Sequence, residues 1–454
     1  MAITYVLVAI LLLHLFLFRK LIFKWNVFGV FFIATLLFSI TGILAFPFFK
    51  PHFLNSFSSF KLGMITDGQI IKTQLIAVTG FLLTLYAYIF GVSFVYKRIK
   101  CINHFSIQGE IKDNLSRANF RLMTLGVCLF ILIYLFIKRD VLLLGIFEGL
   151  LGRQPDAILQ SRGAITSSYL YTIIVYNILP FLTIVSLYLS IKKKTLLNKV
   201  LFLGLFSLSF FLILSLFQKR PLIIFLLSLF IAGFVFRENL FPKKKKIKAR
   251  SKNGKKRKYV VYLSFLFALL LVLYYSATTY EFKSVFEAVG KLSEIALTRV
   301  FGRLSVPAFC YVHYFPEVNN YYGLTNIGML SKLFRFEHFP DTQMVFEYFH
   351  TVKRLEHGSL AINSVMGFYG AFGYFGLIFG NLFLGLLLSL IDTFLDKLEK
   401  NNINLIFTVF CFVFAYYLSQ ASLPRALMGY GFVFFLMTWF FLQKGFKIKL
   451  RRLT

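Results

Sequence analysis

The chain has 454 residues, 58% of them hydrophobic, with 60 phenylalanines and a formal net charge of +32. So apolar a composition excludes a water-soluble globule and leaves an integral membrane protein. Cys101 falls in a segment expected inside, Cys128 and Cys411 within apolar spans and Cys310 alone outside, so no disulfide framework is expected, and no CxxC or Cys/His spacing suggests zinc.

Apolar runs long enough to cross about 30 Å of hydrocarbon at about 1.5 Å per residue recur along the chain. Eleven are present, at 2–18, 27–48, 70–96, 120–137, 168–191, 198–217, 221–237, 259–277, 360–391, 404–420 and 426–443. They predict an all-α, polytopic integral membrane protein with about 11 transmembrane helices and one large external loop. About eight spans fall in 1–277, the loop covers 278–359, and about three spans with a basic tail occupy 360–454. The first span has no cationic segment before it and no small-residue cleavage site after it, so it reads as a retained helix.

Between the spans, the segment 138–167 carries an apolar stretch too short to cross and reads as interfacial. In LILSLFQKRPLIIF, Lys219 and Arg220 interrupt continuous hydrocarbon just before Pro221. Proline suits the first turn of the following helix, whose positive dipole end joins the two cations in favouring an anion. The run KKKKIKARSKNGKKRK over 243–258 reads as a cytoplasmic loop drawn to anionic headgroups. No folded reader lies beside it, so no nucleic-acid partner is expected. With that run inside, alternation puts the N-terminus outside and the C-terminus inside, and the larger share of Lys and Arg becomes cytoplasmic.

The external segment 278–359 is too long for an idle connection. On the outer side Arg153, Arg162, Arg220, Arg299, Arg303, Arg335, Arg354 and Arg425 gather near span ends, against the positive-inside preference. A guanidinium offers a planar fork for phosphate or carboxylate, so an anionic ligand at this face is expected. The alternative is pairing with external acids such as Glu281, Glu294 or Asp341. His313, His338, His350 and His357 also fall in this segment. In VKRLEHGSLAINS, Lys353, Arg354, Glu356 and His357 meet as the chain re-enters the membrane, which makes Glu356 and His357 the candidates for activating a hydroxyl. The first external loop holds Asp67 as its one acid, so no metal site is expected. The series Gly367, Gly370, Gly373, Gly376 and Gly380 predicts close helix packing, with a broken segment beside a site as the alternative.

On four of these elements the chain resembles the Wzy-type oligosaccharide repeat-unit polymerases, the family of O-antigen and enterobacterial common antigen polymerases. They are FQKRPLIIF with Arg220, LTRVFGR with Thr298, Arg299 and Arg303, LEHGSLAINSVMGFYG with His357 and Asn363, and ASLPRALMG with Arg425. The resemblance implies a bacterial inner-membrane glycosyltransferase acting at the periplasmic face, moving a growing glycan from undecaprenyl diphosphate to a lipid-linked repeat unit with inversion. It implies Arg220, Arg299 and Arg425 for the diphosphate, with Arg303 and Arg354 supporting, and His357 or Glu356 as the base. Tyr311, Tyr321, Tyr322, Tyr348 and Asn363 become candidates for sugar contact, the tyrosines being equally expected as interfacial anchors. No cofactor is implied, because fixed guanidiniums can take the charge-stabilising role of a metal ion. The expected partners are undecaprenyl-diphosphate-linked oligosaccharides, membrane lipids and a chain-length regulator protein. A lipid-linked oligosaccharide flippase, a structural membrane subunit and, among enzymes, an O-antigen ligase are the alternatives.

Overall fold

A computed structural model describes residues 1–96, 113–141, 143, 161, 163–166, 168–215, 219–240, 298, 301–302, 304–327, 334–351, 359–399 and 401–444. Within them the chain is helical, with only isolated bridges pairing Phe60 with His350 and Leu115 with Gln443. In chain order the helices are α1 (Ala2–Leu17), α2 (Val27–Ala45), α3 (Lys50–Ser56), α4 (Asp67–Tyr96), α5 (Arg117–Ile137), α6 (Tyr169–Lys193) and α7 (Leu196–Ser215). There follow α8 (Lys219–Leu240), α9 (Ser305–Tyr314), α10 (Asp341–Phe349), α11 (Ser364–Lys397), α12 (Asn402–Gln420) and α13 (Phe432–Leu442). Seven of these, α2, α4, α5, α6, α7, α11 and α12, contain stretches long and apolar enough to cross a membrane, while α1, α13 and the apolar part of α8 are shorter. The expected span 259–277, the polybasic run 243–258 and most of 138–167 lie outside the described residues.

Polar side chains set where several helices begin. Asn26, Ser116, Ser168, Asn363 and Asn401 each accept a backbone N–H from three residues on, satisfying a donor the first turn would leave bare. The run 426–443 proved shorter as a helix than its composition suggests. It opens with a π turn over Arg425–Gly429, and Gly431 adopts a left-handed φ of 79° before α13 begins. A Cβ on Gly431 would stand 2.3 Å from Asn177, so only glycine fits there.

The centre of the bundle is the crossing of α4 with the second half of α11. Small residues let the backbones meet: a Cβ on Gly385 would fall 2.4 Å from the Thr84 carbonyl oxygen, and one on Gly91 would collide with Ser389. In hydrocarbon, close backbone approach of this kind supplies the packing that a hydrophobic driving force cannot. At one end of the crossing sits Asp392, fully buried. Its carboxylate accepts the Val27 and Phe28 N–H groups at 2.9 and 3.1 Å and the Tyr88 hydroxyl at 2.9 Å. Asn26 donates to the same hydroxyl at 2.9 Å, and Phe28 stacks on Tyr88 at 3.8 Å. A carboxylate at a helix N-terminus is favoured by the dipole and by the bare N–H groups, so this cluster pins α2, α4 and α11 together.

Segments expected on one side of the bilayer lie together. Asn402 donates to Asp113 at 2.9 Å and accepts from the Asn114 N–H, while Lys444 N–H donates to the Asn114 carbonyl, all within the set expected inside. Lys50 pairs with Asp67 at 2.9 Å, His52 meets Thr298 at 3.0 Å, and Lys61 N–H donates to the Phe349 carbonyl, all within the set expected outside. The segment 278–359 is not a separate lobe where it is described: α9 is buried along nearly its whole length among α2, α4 and α11.

Asp392→Ala removes the acceptor from Tyr88 and from the first turn of α2. A loss of about 2–4 kcal/mol is expected, read as a lower thermal midpoint of the detergent-solubilised protein, with Asp392→Asn losing less. An unchanged midpoint for Asp392→Ala would remove this cluster from the account of the fold.

Candidate functional site

On the end of the bundle that holds the segments expected outside, a cleft of about 950 Å³ opens between the loop before α10 and the turn before α13. Arg335, Glu337, His338 and Asp341 face it from one wall, and Arg425 with Ser422 from the other. A second pocket of about 340 Å³, almost entirely apolar, adjoins it and shares Asn326, Ile327, Ser422, Pro424 and Met428 as walls. Phe368, Phe372, Phe383, Leu423 and Leu427 line this pocket. Phe372 and Phe383 are also exposed on the outer surface of α11, beside Phe375 and Phe379.

The break in α11 explains why the two cavities lie where they do. Phe372 and Gly373 leave helical geometry, Gly373 at φ 62° and ψ −139°, and the helix resumes through a π turn over Gly376–Gly380. A break uncovers carbonyls that the helix would have satisfied. The loop after α9 supplies donors: Gly323 N–H to the Ala371 carbonyl at 2.8 Å, and Tyr322 N–H to that of Gly370 at 3.4 Å. Tyr322 adds its hydroxyl to the Gly367 carbonyl at 2.9 Å. The broken segment is therefore clamped, and the loop that clamps it becomes a wall of both cavities. Of the glycine series, Gly373 makes the break, while Gly367 and Gly370 pack against Ser422 and against Tyr311 and Tyr322.

Arg425 is held from the far wall. Its Nη2 donates to Thr342 Oγ1 at 2.9 Å, at the start of α10. The Thr342 carbonyl accepts the Leu360 N–H at 2.9 Å, which ties the chain entering α11 to the same helix. Beside Thr342, Asp341 is 2% exposed and accepts the Tyr311 hydroxyl at 2.7 Å. Burial, and then the Asp341 carboxylate, push the Tyr311 phenol well above its ordinary value, so it remains a hydrogen-bond donor.

Of the residues singled out from sequence, Arg425 is in the cleft and Tyr322 lines the apolar pocket. Tyr311 is fully buried with its hydroxyl committed to Asp341, which leaves no ring face for a sugar. Asn363 is 1% exposed and spent as the cap of α11: its oxygen accepts the Met366 N–H and its amide donates to Ser39 Oγ. Tyr321 and Tyr348 are half-buried; Tyr321 packs on Tyr369, and Tyr348 on Tyr314 and His313. Arg220 lies in the first turn of α8, with its side chain outside the described part. Arg299, Arg303, Arg354, Glu356 and His357 lie outside the described residues, whereas Thr298, next to Arg299, meets His52 of α3. Arg335 and His338, named from sequence among the outer arginines and histidines, also line the cleft, and Glu337 joins them there. Their signal was the dense RFEHFPD, four ionisable residues within seven ahead of a helix. Among the described residues no group of three or more His, Cys, Asp or Glu side chains is placed to hold a metal ion.

No family model matches the chain, and neither a curated protein nor a solved structure matches it.

Tyr311→Phe keeps the ring and strands Asp341 in the interior. The expected cost is about 1–3 kcal/mol, measured as a lowered thermal midpoint. An unchanged midpoint would remove the Tyr311–Asp341 hydrogen bond from the account of this wall.

Proposed function

We propose that this chain is a polysaccharide polymerase of a bacterial inner membrane, working at the periplasmic face as a metal-independent, inverting glycosyltransferase. The supporting observation is the joined pair of cavities, a cleft carrying Arg335 and Arg425 that runs into an apolar pocket beside lipid-facing phenylalanines. A diphosphate bearing a long hydrocarbon tail has that same division, so a lipid-diphosphate-linked oligosaccharide suits it. Guanidiniums at the leaving diphosphate stabilise charge where it develops. The acceptor hydroxyl of an incoming lipid-linked repeat unit attacks the anomeric carbon of the growing chain, and undecaprenyl diphosphate departs.

The full topology belongs to this reading: eleven spans, the N-terminus outside, the C-terminus inside, and 278–359 as the periplasmic loop. The grouping of inner-side and outer-side segments at separate ends of the bundle supports it. Arg220, Arg299, Arg303 and Arg354 complete the cationic set in this scheme, and a chain-length regulator is the protein partner. One observation favours a second reading, a flippase of lipid-linked oligosaccharide: the break at Phe372–Gly373 gives α11 the discontinuous form that transporters use at their sites. An O-antigen ligase would use the same donor with a different acceptor.

Membranes carrying the wild-type protein should convert purified lipid-linked repeat units into long chains, and Arg425→Ala should slow this by about 100-fold or more. Deletion of the gene should leave surface glycan carrying single repeats; absence of attached glycan would favour the ligase or flippase. Polymerisation at the native rate by Arg425→Ala would contradict the placement of the diphosphate.

A further inference from the structure

The cleft holds an imidazole oriented for proton transfer. His338 Nδ1 lies 3.0 Å from the Thr325 carbonyl oxygen. A carbonyl only accepts, so Nδ1 carries the proton, and in the neutral ring the lone pair is on Nε2. His338 lines the cleft with Arg335, Glu337, Asp341 and Arg425, the charged groups that face it. A ring N–H donated to a backbone carbonyl from the far nitrogen of a histidine fixes both tautomer and ring orientation, the arrangement a general base requires.

That carbonyl is itself fixed. Thr325 Oγ1 donates to the Tyr322 carbonyl at 2.6 Å, and the Thr325 carbonyl also accepts the Phe339 N–H at 3.2 Å. The Phe339 ring stacks on Tyr322, centroids 6.1 Å apart and planes within 14°. Tyr322 and Gly323 are in turn bonded to the broken segment of α11. The imidazole is thus exposed on a loop whose two ends are held to the bundle, in the cleft wall facing Arg425.

We propose that His338 is the general base of the glycosyl transfer. Nε2 takes the proton of the acceptor hydroxyl as the hydroxyl oxygen bonds to the anomeric carbon. The bond from that carbon to the diphosphate oxygen breaks with its electron pair, and the lipid diphosphate leaves against Arg335 and Arg425. The imidazolium then returns the proton to solvent. This assignment rests on the polymerase reading and gives the base role to a residue other than His357 or Glu356.

The test uses the full-length protein in proteoliposomes with purified lipid-linked repeat units. His338→Gly should be slower by about 100-fold or more and should recover about tenfold when imidazole is added to the buffer. His338→Asn places an amide N–H where Nδ1–H stood but has no basic nitrogen, so it should stay slow with an unchanged thermal midpoint. The assignment is overturned if His338→Asn keeps the native rate or if imidazole fails to restore His338→Gly. A wild-type protein that leaves single repeats unjoined contradicts the polymerase reading and removes this assignment with it. An active wild type with an equally active His338→Asn contradicts the base alone.

Discussion

A helix that crosses hydrocarbon cannot leave its carbonyls bare, and the break in α11 makes that constraint local and specific. The groups uncovered at Gly370 and Ala371 are covered by Tyr322 and Gly323, so the loop after α9 must sit against α11. Once that loop is fixed, so are Thr325, the phenylalanine stacked on Tyr322, and the segment that presents Arg335, Glu337 and His338. The cavity walls follow from an obligation of the backbone. Breaks of this kind are tolerated where the freed groups are satisfied by protein or line a cavity, and here they do both.

Behind the site, the bundle supplies rigidity at its other end. Asp392 ties the start of α2 to α4 and α11, and the glycine-mediated contact of α4 with α11 lets the backbones approach closely. Because α11 carries both the buried carboxylate and the break, one helix connects the structural pin with the two cavities. The opposite wall depends on α13: its late start after Gly431 leaves Arg425 in a π turn, from which it reaches Thr342. Such turns place side chains that a regular helix would rotate away, which accounts for their frequency at functional sites.

The helical, membrane-spanning character was legible because it depends on run length and composition, both local properties. The ends of α13 were not, since a π turn and a left-handed glycine leave the hydropathy of 426–443 unchanged. Arg425 was legible as a cation stranded near a span end. Tyr311 and Asn363 were misleading: an aromatic in the external segment and an amide at the head of the span that follows look available, and their burial is imposed by Asp341 and by the first turn of α11. Arg335, Glu337 and His338 sit in a loop without periodicity, and their shared position depends on Thr325, ten or more residues away, through contacts that no spacing encodes. The glycine series pointed to both packing and a break, and different members serve each.

The account turns on one claim, that the arginine-bearing cleft and the apolar pocket together hold a lipid diphosphate. An experimental structure of the protein in lipid nanodiscs with undecaprenyl diphosphate tests it most directly. The account predicts diphosphate density between Arg335 and Arg425, with the first isoprene units against Leu423, Leu427 and Phe372. Diphosphate density elsewhere on the protein, or an unoccupied cleft at saturating lipid, would contradict it.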